Sequence, residues 1–298
     1  MLEVIKYNED EYAFPSLLVL GCFDAIHIGH AELLKKAKLQ AKINGLDLGI
    51  MMFVGGKGCR QVCNFEERQR LLEQFGVKFI LAIDYTDDFK ATSSGKFLEN
   101  IESKINIKAY MSGRDFRFGY GAKAKSSTLK TYSEDEENGV WYMSVKDVTY
   151  VGEKVSTTLI KNCIENGNLV KAGALLGRPY SVTGFVIEGA NRGKGLGFPT
   201  INMKYPVEKV EVKKGVYKVQ CIVGEEVFIG IANYGGRPTF NESIALLEVF
   251  LDGFVGTLYG RGVTVEFIEF LRDTQKFESV DELKKQLAID LQRAKLKV

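Results

Sequence analysis

Two architectures follow one another in this chain: an α/β domain on a Rossmann-like parallel sheet, then an antiparallel β-barrel closed off by a terminal helix. Two observations predict them. Through the first half, short apolar runs alternate with amphipathic helical stretches, the pattern of a doubly wound sheet. After Pro179 the helical stretches stop, and strand-like runs separated by glycine-rich turns take over. The break at Gly177-Arg178-Pro179 divides the chain into domains 1–177 and 178–298.

Residues 17–20 are an apolar run ending at Gly21, as in a buried parallel strand. A helix follows from Ala31, with Leu33, Leu34, Ala37 and Ala41 on one face and lysines 35, 36, 38 and 42 mostly opposite, and Asn44-Gly45 stops it. Residues 48–54 read as a strand and 65–75 as a helix, with Glu66 and Glu67 in its first turn and Gly76 as its C-cap. Residues 79–83 are a strand, 94–101 a helix, 109–112 a strand running into Gly113, and 141–145 a later strand. The acidic run 133–139 reads as a solvated loop or helix end. Helices at 156–167 and 169–176 lead to the break. Beyond it, 182–188, 216–223, 227–232, 244–252 and 263–271 are strands, and Tyr217, Val219, Cys221 and Val223 share one face of the second. Ser279 and Glu282 form a capping box for a final helix striped by Leu283, Leu287 and Leu291.

Composition excludes several classes. With 40 basic and 38 acidic residues the net charge is +2, so nothing marks a nucleic-acid or membrane-surface partner. No signal-peptide pattern and no bilayer-length apolar run is present, which predicts a cytoplasmic protein. The 5 cysteines are odd in number and scattered, arguing against a disulfide framework, and the Cys59/Cys63 pair lacks a second ligand pair for zinc. No pattern reports the oligomeric state.

The chemistry gathers in six segments. Residues 19–34, V-L-G-C-F-D-A-I-H-I-G-H-A-E-L-L, hold both histidines, His27 and His30, at a strand-to-helix turn. Imidazoles at i and i+3 of a helix start project to one side, beside unpaired N–H groups and the positive dipole end, which suits a polyphosphate. Residues 112–119 read S-G-R-D-F-R-F-G and 156–161 read S-T-T-L-I-K. A His-x-Gly-His turn occurs in nucleotidylyltransferases and in class I aminoacyl-tRNA synthetases; the latter need a lysine-rich second signature, for which 155–161 is a poor substitute. The second half adds G-A-N-R-G-K-G-L-G-F-P-T-I-N at 189–202, N-Y-G-G-R-P-T-F at 233–240 and L-E-V-F-L-D-G-F-V-G-T-L-Y at 247–259. In this order the segments resemble the bifunctional prokaryotic riboflavin kinase/FAD synthetase family over nearly the whole chain.

That resemblance implies riboflavin + ATP → FMN + ADP in the second domain and FMN + ATP → FAD + pyrophosphate in the first, with Mg²⁺ as cofactor and riboflavin, FMN and ATP as small-molecule substrates. Phosphorylating a neutral hydroxyl calls for a general base. Glu248, in the otherwise apolar run 244–251, is the candidate, since an ionised carboxylate there pays for desolvation, and the family assigns the base to this glutamate. The Thr200 hydroxyl and the Asn202 amide carbonyl, on a turn stiffened by Pro199, suit Mg²⁺ and match the family's metal pair. Gly189, Gly193, Gly195 and Gly197 allow close phosphate approach, with Arg192 and Lys194 supplying charge, and Asn233 is grouped with the ATP contacts.

FMN's phosphate is already anionic, so the first domain needs alignment and neutralisation rather than a base. Gly21, Phe23, Asp24, His27, Gly29, His30, Gly113, Arg114, Ser156, Thr157 and Lys161 fit an ATP site of that kind. By resemblance Asp115 and Arg272 lie near flavin, and Phe116, with Phe118, reads either as an aromatic wall for the flavin or as core packing. The chain departs from the family at Ala25 and Ala124, where glycine is usual, at Lys161, where arginine is usual, and at 55–60, which lacks a proline- and histidine-containing segment. The alternative is a riboflavin kinase whose first domain is weak or inactive.

Overall fold

The structure is a computed structural model that describes residues 2–55, 60–188, 198–235 and 246–296. The chain folds as two compact units, Met1–Thr157 and Thr158–Val298.

In the first unit, strands β1 (Glu3–Lys6), β2 (Tyr12–Leu20), β3 (Asp47–Phe53), β4 (Phe79–Ile83), β5 (Ile105–Gly113) and β6 (Trp141–Val145) form one sheet in the order β1-β4-β3-β2-β5-β6. Every pairing is parallel. Helices α1 (Ile28–Asn44), α2 (Phe65–Glu73), α3 (Asp87–Ala91), α4 (Ser94–Glu102) and α5 (Ser126–Glu134) connect them. Two apolar cores result. One takes Leu33, Leu34, Ala37 and Ala41 of α1 with Leu72 of α2; the other takes Phe97, Leu98 and Ile101 of α4 with Leu129 of α5. Helices thus cover both faces, as alternation predicts. Strand order reverses between β2 and β5, so the crevice beyond the carboxyl ends of those two strands is the topological switch point.

Several boundaries shift from expectation. The apolar run 17–20 is only the buried end of β2, which begins at Tyr12 because its first half lies near the sheet rim and carries mixed side chains. Helix α1 starts at Ile28, three residues early, because His27 itself is the N-cap. Helix α2 stops at Glu73, with Gln74 as C-cap, and Gly76 takes its left-handed φ of 75° in the turn beyond. The edge strand β1 and the short helix α3 carry too little periodicity to be read from sequence. The acidic run ends α5 and continues as an exposed 3-10 turn at Glu136–Asn138.

Helix α6 (Thr157–Glu165) leads into the second unit, and α7 (Leu169–Leu176) packs on its barrel. The barrel strands are β7 (Tyr180–Ile187), β8 (Thr200–Lys204), β9 (Gly215–Val223), β10 (Glu226–Gly235), β11 (Leu246–Leu251) and β12 (Gly262–Arg272), closed in the order β7-β8-β11-β10-β9-β12. All neighbours are antiparallel. Tyr217, Val219 and Cys221 are fully buried inside it, together with Met203, Ala232, Tyr234, Leu247 and Val249. Residues 200–204, expected as a turn, are a strand: Thr200 and Asn202 pair with Phe250 and Glu248 of β11.

Helix α8 (Val280–Lys295) begins with the Ser279 hydroxyl accepting the Glu282 N–H at 3.2 Å. Its buried residues are Asp290 and Ala294, with Leu287 packed against Val216, Ile231 and Leu271, so the buried face is rotated from the expected leucine stripe. The rotation follows from the ion pair that Asp290 makes with Arg272 on β12.

Candidate active sites

The first site grows from the end of β2. Phe23 and Ile26 hold left-handed backbone angles, φ 49° and 41°, although neither is glycine. Such positions cost about 1 kcal/mol or more each and persist where packing over-determines them. Here both side chains are buried in the α1 core. The Phe23 ring leaves no room for a side chain at Gly21, whose Cβ would come within 2.6 Å of it. The turn then delivers His27 to the N-cap of α1, where its Nδ1 accepts the His30 N–H at 3.2 Å. The two imidazoles stack with centroids 3.7 Å apart and planes 9° from parallel, and Phe23 backs His30 at 4.6 Å. A Cβ at Gly29 would sit 3.1 Å from the His27 ring, so glycine lets the helix start press against it.

The remaining residues of the first unit divide. Asp24 anchors the chain: its carboxylate accepts the Val62 N–H at 2.8 Å, and its carbonyl accepts the Cys63 N–H at 3.2 Å. Ala25 is fully buried, and its carbonyl faces the Cys63 thiol. Gly113 ends β5 opposite the histidine turn and starts a tight turn in which its carbonyl accepts the Phe116 N–H. Arg114 is exposed, while Phe116 stacks on the buried Phe118, centroids 5.6 Å apart. Asp115 is paired: Lys154 Nζ lies 2.8 Å from it and 3.0 Å from Asp147. Val148 reaches the Gly29 position, and its carbonyl accepts the Val155 N–H at 2.9 Å, so the segment leading to Ser156 and Thr157 passes beside the first turn of α1. Lys161 lies on α6, one turn beyond Thr157.

Sequence reasoning missed Arg68. Buried at 1% exposure, its guanidinium donates to the carbonyls of Phe53, Val54 and Asn64 and to Gln61 Oε1, at 2.8–3.3 Å. It ties together the segments on either side of residues 56–59, and its only sequence signal is a lone arginine on an apolar helix face. Residues 56–59, including Cys59, lie outside the described residues.

The second site is a row across the outer face of the barrel. Strand register aligns Ile187, Asn202, Glu248, Asn233, Val216 and Arg272 on successive strands β7, β8, β11, β10, β9 and β12. Glu248 therefore sits between two asparagines. Asn202 is 6% exposed, and the Oδ1 atoms of Asn202 and Asn233 are buried without a hydrogen-bond partner. A buried amide oxygen left so costs about 1–3 kcal/mol. The expectation that Glu248 lies in a wholly apolar surround is corrected. Its strand alternates, with Leu247, Val249 and Leu251 inward and half-buried Glu248 outward among amides.

Arg272, expected near flavin, is engaged with Asp290: Nε and Nη2 donate to the carboxylate at 2.8–3.2 Å. Gln286 Nε2 completes that fully buried carboxylate at 2.9 Å. Gly189, Arg192, Gly193, Lys194, Gly195 and Gly197 lie outside the described residues. Among the described residues no group of three or more His, Cys, Asp or Glu side chains is placed to hold a metal.

A parallel sheet with paired histidines at its switch point, joined to a six-stranded barrel with a carboxylate between two amides, defines a two-domain transferase. Residues 10–159 match the FAD synthetase family model and residues 176–298 the riboflavin kinase model. Bifunctional riboflavin kinase/FMN adenylyltransferases are similar throughout. The one from Bacillus subtilis is 31% identical over 94% of this chain and 91% of its own, and that from Escherichia coli K12 32% identical over 92% and 90%. The Haemophilus influenzae enzyme is 30% identical over 97% and 96%. The chain belongs to the bifunctional riboflavin kinase/FMN adenylyltransferase family. A solved structure described as a macrolide-efflux protein from Streptococcus pneumoniae shares the fold, with TM-score 0.91 at 30% identity over 100% of this chain and 99% of that one. Among the described residues no helix is long and apolar enough to cross a membrane.

Proposed function

We propose that the barrel phosphorylates riboflavin at Glu248 and that the parallel-sheet unit adenylylates FMN at the His27/His30 turn. The observation that carries the kinase half is Glu248 in register between Asn202 and Asn233, whose amide oxygens are buried and unpartnered. Glu248 takes the proton of the terminal ribityl hydroxyl as its oxygen bonds to the γ-phosphorus of ATP and the bond to ADP breaks. Asn202 Oδ1 and the Thr200 hydroxyl, two residues apart on β8, are hard oxygen donors of the kind Mg²⁺ takes. When bound there, Mg²⁺ would supply charge neutralisation for the transferred phosphate. The phosphate-cradling role of Gly189, Arg192, Gly193, Lys194 and Gly195 rests on sequence.

At the switch point, FMN's phosphate attacks the α-phosphorus of ATP and pyrophosphate leaves, with no proton to remove. His27, His30 and the first N–H groups of α1 align and neutralise the polyphosphate. Gly21 and Gly29 serve by making room, Phe23 by backing His30, and Asp24 by holding the neighbouring loop. Gly113, Arg114, Asp115 and Phe116 border the crevice from β5, and Ser156 and Thr157 supply further phosphate contacts; the phosphate-binding role of Lys161 rests on sequence. Arg272 acts at one remove, by fixing α8 to the barrel edge. We set the working boundary between activities at 177/178, a few residues from where the riboflavin kinase match begins. ATP as donor in both reactions suits the cytoplasm.

The test is incubation with riboflavin, ATP and Mg²⁺, with flavins separated over time. FMN followed by FAD is expected. FMN alone would reduce the first unit to a scaffold, and FMN formation by Glu248→Gln at the normal rate would remove the barrel row from the mechanism.

A further inference from the structure

The segment that leaves β5 at Gly113 returns at Ser126, the first residue of α5. Packing holds its body. Phe118 is buried with its ring 5.5 Å from Phe97 of α4, and Arg117–Phe118 pairs antiparallel with Ala124–Lys125. Hydroxyls hold its ends. The fully buried Ser112 hydroxyl donates to the Gly113 carbonyl at 3.0 Å, and the Ser126 hydroxyl donates to the Arg114 carbonyl at 2.7 Å. A hydroxyl has one proton to give. With that of Ser112 spent on Gly113, the Tyr142 phenol is the donor in its 2.8 Å contact with Ser112 Oγ. Ser126 and Ser144 hydrogen-bond the same phenol, so one tyrosine of β6 joins both ends of the segment.

We propose that Tyr142 is a positioning residue for FMN adenylylation, its hydroxyl fixing the Gly113–Phe116 turn at the rim of the crevice through Ser112 and Ser126. This rests on reading the switch point as the adenylylation site. Arg114 and Asp115 are exposed and bury no apolar surface, so hydrogen bonds and the Lys154–Asp115 ion pair, not packing, hold the turn. The Gly113 carbonyl that Ser112 meets is also the one that accepts the Phe116 N–H and closes the turn. A buried phenol needs one hydrogen-bond partner to be satisfied. This one gathers three serines at the carboxyl ends of β5 and β6, where Ser112 and Ser144 are register partners. The turn matters because adenylylation has no proton to remove and depends on alignment, for which a displacement of about 1 Å can cost about 10²-fold.

The experiment uses the full chain. Tyr142→Phe deletes the hydroxyl and keeps the ring, Ser126→Ala deletes the donor to Arg114, and Ser126→Thr keeps it. Ser144→Ala removes a hydroxyl that meets the phenol from β6, outside the segment. FAD formation is measured with FMN and ATP each varied. Trypsin cleavage is timed alongside, since Arg114, Arg117, Lys123 and Lys125 are exposed. Tyr142→Phe and Ser126→Ala lower kcat/KM by about fivefold to fiftyfold, with a raised KM for at least one substrate. Both are cut faster within 114–125, by about fivefold or more. Ser126→Thr, Ser144→Ala and riboflavin phosphorylation by every variant stay within about twofold of the parent protein. The double change Tyr142→Phe/Ser126→Ala loses less than the product of the single losses, because each breaks the same clasp. A fall in kcat with both KM values unchanged reports lost folded protein and overturns the inference, as does faster cleavage at a normal adenylylation rate. If Tyr142→Phe does not fold, the two Ser126 variants carry the same comparison. A parent protein that makes no FAD from FMN removes the adenylylation reading and this inference with it, whereas normal kinetics in Tyr142→Phe beside an active parent remove this inference alone.

Discussion

The imidazole of His27 lies flat against that of His30, centroids 3.7 Å apart, while its Nδ1 accepts the His30 backbone N–H. One side chain thus caps the helix and fixes the second ring. In His27→Ala the cap and the stack go together. FAD formation from FMN should fall by about 10²-fold or more, with about 1 kcal/mol of stability lost from the first unit. Riboflavin phosphorylation should persist; separate assays from riboflavin and from FMN check both halves, and an unchanged FAD rate would take the histidines out of the chemistry.

Glu248→Gln keeps shape and hydrogen bonding but deletes the proton acceptor. FMN formation should drop by about 10²–10⁴-fold, the usual worth of a positioned base. FAD formation from supplied FMN should be unaffected, as single-substrate time courses would show.

Arg68 satisfies four acceptors, on Phe53, Val54, Gln61 and Asn64, from a buried position. Arg68→Leu strands three carbonyls and the Gln61 amide oxygen, and should cost the first unit about 3–5 kcal/mol. Denaturant titration followed by FMN adenylylation should lose its midpoint earlier than titration followed by riboflavin phosphorylation. Coincident midpoints that do not move would contradict the anchoring role.

Asp290 is fully buried and Arg272 17% exposed. Removing one partner leaves the other uncompensated, so Asp290→Ala should destabilise by about 3–5 kcal/mol, while the double change Arg272→Leu/Asp290→Leu should recover much of that. A double-mutant cycle on thermal unfolding measures the coupling.

Cys22 is exposed beside Gly21, whereas Cys63, Cys163 and Cys221 are buried. Burial pushes the Cys221 thiol up to about 12, so it stays protonated and inert at pH 8. Iodoacetamide should label Cys22 well before Cys221, and ATP should slow that labelling if the nucleotide covers the turn. Peptide mapping after timed alkylation with and without ATP gives the answer.

Much of this was readable in the linear chain. Alternating apolar runs and amphipathic stretches give the parallel sheet, because a strand buried on both faces must be apolar throughout and its crossover helix must carry one apolar stripe. Period-two alternation at 216–223 gives the barrel wall, and the His27/His30 spacing places both imidazoles at the start of a helix. These are local properties, set by backbone geometry within a few residues.

What the linear chain did not carry is who stands beside whom. Thr200 and Asn202 looked like turn residues, yet strand pairing lays them along β11 and brings Asn233 to the other side of Glu248. Asp24 holds Val62 across 38 residues, and Asp290 turns the buried face of α8 toward Arg272. Such contacts depend on register and on which buried charges find partners once the core has closed. Residue type and spacing name the chemistry available; barrel closure and the burial of ion pairs determine which groups meet, because only there does an unpaired amide or carboxylate become costly enough to select its neighbour.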